Sequence, residues 1–182
     1  MFRFPARTLA ALVWLSAIVV AETTSLWLDV PFVRQEKEGC GAASIAMVMQ
    51  YWQHKQGKEV DPSADGALIQ RELYAREAHG IHASAMQQYF ERKGFRAFAF
   101  AGEWGDLAQH LEKGRPLIVA LKPAGSSRHY VVIAGVDVGR GLVVVNDPAQ
   151  RKLLKQDRSS FEREWNAAGK WTLLAVPQSE TH

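Results

Sequence analysis

Cys40 is the only cysteine among 182 residues, and it sits between two glycines in the stretch EGCGAASIAMVMQYW. A neutral thiol is a weak nucleophile. It becomes a strong one when a helix N-terminus and an imidazolium stabilise its thiolate. A third group must then hold the imidazole by its other nitrogen. The sequence offers each part. His129 opens an apolar run, Asp147 closes the next one in VVVNDP, and Gln35 lies five residues before Cys40. The Gln35 carboxamide and the Cys40 backbone N–H would together form an oxyanion hole. Each residue also has a plain alternative. Cys40 is then a small core residue, His129 an ordinary strand-end histidine, Asp147-Pro148 the start of a turn, and Gln35 a solvated loop residue. Asn146 is an alternative orienting group for the imidazole. The case rests on the four together.

The elements that must position them follow from the pattern. Residues 28–35 read as extended, because Pro31 disfavours helix for the residue before it. After the glycines, AASIAMVMQYWQ is apolar nearly all round, the mark of a buried helix. Cys40 therefore stands at or just before that helix's N-terminus. Residues 67–78 and 82–94 read as further helices, 95–100 as a strand, 103–114 as a short helix and 115–122 as an apolar strand. The runs 130–136 and 142–145 are β-rich, and Gly139-Arg140-Gly141 between them signals a hairpin. A hairpin returns the end of its second strand to the start of its first. His129 and Asp147 then arrive at one end, within two or three residues of register. Residues 161–169 read as a helix and TLLAV as a last strand. The order predicts an α+β fold, with a central helix packed on an antiparallel sheet.

Composition bounds the rest. A chain that is 47% hydrophobic and 23% charged is globular. Arg3 and Arg7 precede an uncharged run over residues 8–21, with Val19 and Ala21 before Glu22. That is a secretory signal pattern, and the run is short for a membrane span. The expectation is a signal peptide or N-terminal anchor over 1–21, a single domain over 22–182, and an exported protein, periplasmic or secreted. The boundary has no lipoprotein cysteine. Removing 1–21 takes two arginines and no acids, so 22−19 becomes 20−19, a net of +1. No basic cluster interleaved with aromatics is visible along the rest, so nucleic acid is not an expected partner. His54, His79, His82, His110 and His182 have polar or helical surroundings. His79 and His82 lack a third ligand at metal-site spacing, so no metal is expected.

VPFVRQEKEGCGAASIAMVM, HYVVIAGVD and VVVNDP together resemble the bacteriocin-processing, double-glycine-leader branch of the papain-like cysteine peptidases, over about residues 27–176. The resemblance implies a papain-like fold and peptide substrates, with no cofactor. It implies Cys40 as nucleophile, His129 as general base, Asp147 as orienting acid and Gln35 as oxyanion donor. Ala42 stands where many members carry proline. The export-type segment makes this chain an expected stand-alone, exported member. Two other readings use the same scaffold: acyl transfer to an amine, and non-catalytic peptide binding by an accessory protein.

Overall fold

The computed structural model describes residues 25–178. The segment 1–21 therefore lies outside the described residues. Seven strands form one sheet: β1 Ser25–Trp27, β2 Phe95–Ala101, β3 Leu117–Leu121, β4 His129–Asp137, β5 Leu142–Asn146, β6 Leu154–Asp157 and β7 Trp171–Pro177. Their order is β2-β7-β3-β4-β5-β6, with β1 extending the β3 side of β4. All the pairings are antiparallel. The helices are α1 Cys40–Lys55, α2 Gly66–Leu73, α3 Ala83–Arg92, α4 Trp104–Glu112 and α5 Arg158–Ala167.

The sheet is covered on both faces, and β4 explains why its sequence is apolar throughout. Successive side chains alternate between faces. Tyr130, Val132 and Ala134 join the cluster under α1, while Val131 and Ile133 join the one under α4 and α5. Ile45, Met47 and Met49 of α1 are at most 2% exposed. Each such side chain contributes about 1.5–3 kcal/mol relative to leaving it in water. Burial of this kind seats α1 on the sheet and fixes where its first residue, Cys40, comes to rest.

Several expectations need correction. The helix expected over 67–78 ends at Leu73. Ala75 instead bridges to Gly80, and a short 3-10 turn follows at Arg76–Ala78. Strands β1 and β6 carry no clear alternation, and pattern reading missed both. Strand β1 exists because Gly135 lets it approach, since a Cβ there would lie 2.9 Å from the Leu26 carbonyl oxygen. Helix α5 begins at Arg158, capped by Asp157, whose carboxylate accepts from the Ser160 N–H at 2.9 Å. Helices α4 and α5 fall between strands, as the sequence order places them.

Candidate active site

Cys40 is the first residue of α1, after the N-cap Gly39. No side chain caps that end, and its first turn carries no acid. The free N–H groups and the helix dipole therefore act on the sulfur undiminished. Gly41 lets this end sit close to the sheet. A Cβ at Gly41 would lie 3.2 Å from Ile81 Cβ and 3.6 Å from the Tyr130 ring.

His129 is the first residue of β4, at the open end of the sheet, and Asp147 directly follows β5. Their meeting depends on one extra residue. Near the hairpin turn Val136 pairs with Val143 and Gly135 with Val144, but beyond Ala134 the register shifts and Ile133 pairs with Val145. Continued outward, the shifted register sets Asp147 opposite Val131. His129 is the next residue on that face, a diagonal neighbour. Without the bulge Asp147 would stand opposite Val132, on the other face. The bulge also shows in burial: Val136 lies in the α4/α5 cluster, although Val132 and Ala134 lie in the other.

The resulting contact is close. His129 Nε2 lies 2.8 Å from Asp147 Oδ1. Nδ1 is left for the thiol, whose neighbourhood helps hold the imidazole proton. Asp147 is 4% exposed and fully engaged. Oδ1 also accepts from the Ala149 N–H at 2.9 Å, and Oδ2 from Gln150 Nε2 at 2.7 Å. The Gln150 N–H bonds the Asp147 carbonyl at 3.0 Å, closing a turn with Pro148 in its second position. The plain alternative is thus also true: Asp147 starts a turn, and the turn fixes its carboxylate.

The electrostatics favour a charged pair. Burial opposes the Cys40 thiolate and is the largest influence on it. Hydrogen bonds from His129 and the Tyr130 N–H, the His129 charge and the Gly41 N–H outweigh it, and the thiol falls below its ordinary value. Burial also opposes the His129 cation. The bonds to Asp147 and Cys40, with both negative charges, push His129 up to about 9. Burial raises Asp147, but the bond and charge of His129, with Ala149 and Gln150, hold it below the usual carboxylate value. The arrangement favours a thiolate beside an imidazolium, between the lowered thiol value and about 9.

Gln35 joins this group through its backbone. Its N–H bonds the Pro148 carbonyl at 3.0 Å, tying it to the turn after Asp147. Its side-chain oxygen is buried without a partner. The NH2 end has no partner among the described residues and is available to a ligand. No hydrogen bond joins the Gln35 side chain to Cys40 or His129.

Asn146 does not orient the imidazole. It is fully buried, with Nδ2 donating to the Val30 carbonyl at 3.1 Å and Oδ1 accepting from the Leu153 N–H at 3.0 Å. It straps the segment leading to Gln35 onto the sheet end. Residues that pattern reading missed are Gln150 and a brace around Glu38. Glu38 has a left-handed backbone (φ 58°) in the turn between Gln35 and Cys40. The Tyr74 hydroxyl donates to its carboxylate, His79 Nδ1 lies 3.3 Å from the same group, and Gln70 Nε2 reaches its carbonyl at 3.5 Å. The DPAQ sequence carries a turn signal that could have pointed to Gln150. The brace joins the Glu38 turn to the distant segment 70–79 and has none. His82 pairs with Glu77. Among the described residues no cluster of three or more His, Cys, Asp or Glu could hold a metal ion.

The family model described as the Peptidase_C39 like family matches residues 27–173. No curated protein matches the sequence. Solved structures do. A C39-like peptidase from Bacillus anthracis superposes with a TM-score of 0.68 at 18% identity, covering 86% of this chain and 100% of that one. The peptidase domain of Streptococcus ComA, a bifunctional ABC transporter of a quorum-sensing pathway, gives 0.63 at 19%, covering 81% and 98%. A double-glycine-motif protease from an AMS/PCAT transporter, solved with its leader peptide, gives 0.62 at 23%, covering 84% and 94%. At these identities the likeness shows the fold, and it is the expected papain-like one.

Proposed function

The chain belongs to the Peptidase_C39 like family, and from that premise we propose that it is a thiol peptidase acting through Cys40, His129 and Asp147. One observation supports this above others. The lone thiol starts a buried helix against an imidazole held 2.8 Å from a buried carboxylate. In the proposed reaction the Cys40 thiolate attacks a peptide carbonyl carbon. The carbonyl oxygen takes the negative charge and is met by the Cys40 N–H and the Gln35 NH2. The C–N bond then breaks, and His129 gives its proton to the leaving amine. Water, deprotonated by His129, hydrolyses the thioester and restores the thiolate–imidazolium pair. A relative solved with a leader peptide supports a peptide as the substrate class. The domain would work outside the cytosol once residues 1–21 have directed export, and fractionation of cells should find it there.

The test is labelling with a peptide-like electrophile, followed by mass spectrometry. Cys40 should be modified at pH values well below the free thiol pKa of about 8.5. If Cys40 reacts only as an ordinary thiol, and His129→Ala changes nothing, the paired thiolate does not exist and the reading fails.

A further inference from the structure

The pole opposite the candidate site holds a groove of about 1210 Å³. The register shows where it lies. Strand β4 runs away from His129. Its antiparallel neighbour β3 therefore starts at the far pole, β7 ends there and β2 starts there. Helix α1 starts beside His129 and finishes at the same far pole, where Trp52 Nε1 donates to the Ala175 carbonyl at 2.9 Å. Lys55, Lys93, Arg96, Lys113 and Arg115 line the groove from three separate segments. None of the five forms an ion pair with a carboxylate among the described residues. The one carboxylate lining the groove, Asp61, accepts from the Ser63 N–H at 2.8 Å and caps a 3-10 turn. Asp61 offsets part of this charge, interacting with Lys93, but the five cations outnumber it and the recess favours an incoming anion. No run of the sequence shows this cluster, because the topology assembles it.

The described chain also begins at this pole. Ser25 pairs with Asp137, the last residue of β4. Three residues separate it from the uncharged run 8–21. Beside it, Trp27 is 60% exposed and shares with Lys55 a second recess that adjoins the groove. A basic surface next to an apolar segment and an exposed tryptophan matches the chemistry of an anionic lipid surface.

We propose that this pole docks on an anionic bilayer, with lipid phosphates entering the groove between Lys55, Lys93, Arg96, Lys113 and Arg115 and the Cys40 cleft facing away from the membrane. The full chain, reconstituted in nanodiscs, is acetylated and its lysines are followed by mass spectrometry. In discs containing phosphatidylglycerol, Lys55, Lys93 and Lys113 should react about fivefold more slowly than in phosphatidylcholine discs. Lys122 and Lys155 should be unchanged, and high salt should remove the difference. Arg96→Glu with Lys113→Glu, checked for folding by thermal melting, should abolish the protection of Lys55 and Lys93. Equal labelling in both lipids overturns the proposal. So does protection by polyglutamate or duplex DNA but not by the anionic discs, which would assign the groove to a soluble polyanion.

Discussion

At Cys40 and His129 the pH behaviour follows from two shifts of opposite sign. Cys40 loses its proton below its ordinary value, and His129 keeps its own up to about 9. The reactive pair therefore exists between those limits, titrating as one coupled unit, and the alkaline limb of turnover should fall near pH 9. Asp147→Asn removes the charge that supports the imidazolium. His129 then loses its proton at lower pH, and the weaker imidazolium supports the thiolate less, so Cys40 rises. The window should narrow from both sides, as read by alkylation rate and peptide turnover across pH. An unchanged alkaline limb would remove Asp147 from the relay. Gln35→Ala makes a different prediction, because Gln35 bonds neither member of the pair. Alkylation should stay near wild type, while turnover should drop about 10²-fold, the scale of one lost oxyanion donor.

Elements carry the next level of control, because the segment before Cys40 has little regular structure of its own. Asn146 straps Val30 to the sheet end, and the Glu38 brace holds the following turn in a left-handed conformation. Asn146→Ala leaves the carbonyl of the buried Val30 without its partner, at about 1–3 kcal/mol, and removes the bond to the Leu153 N–H. The urea midpoint should fall accordingly, while the remaining folded protein keeps its alkaline limb near pH 9. A shifted limb would mean that Asn146 orients the imidazole after all. These elements also mark where sequence reasoning ends. The helix carrying Cys40, the strand opening at His129 and the hairpin are legible because periodicity and glycine signals are local. The choice of face for Asp147 is not, because it depends on a bulge at Ala134 inside the uniformly apolar run YVVIAGV. Strand β1 is three residues long and exists through Gly135, so no periodic signal marks it.

Across the whole molecule, the sheet separates two layers with different duties. Helix α1 lies in the layer that sets the sulfur's position, while α4 and α5 support the other face. The α+β class was readable because the order of helical and β-rich runs is written in local patterns, and a helix apolar nearly all round must pack in the interior. The second layer was harder to read, because α4 and α5 are short amphipathic segments whose partner face cannot be inferred before the topology is known. The separation predicts that stability and reactivity can be changed independently. Leu107 of α4 is fully buried in the far layer. Leu107→Ala should cost about 2–5 kcal/mol by opening a cavity, yet leave the alkylation profile of the folded protein unchanged. Ala46 is fully buried in the middle of α1. Ala46→Leu should cost only about 1–3 kcal/mol through overpacking. It would push α1 away from Gly66 of α2, beside which Ala46 sits, and displace Cys40 with it, and a misplacement of about 1 Å can cost 10²-fold in rate. Urea unfolding and turnover measured on both variants decide the matter. If Leu107→Ala slows turnover as much as Ala46→Leu does, the two layers do not act independently.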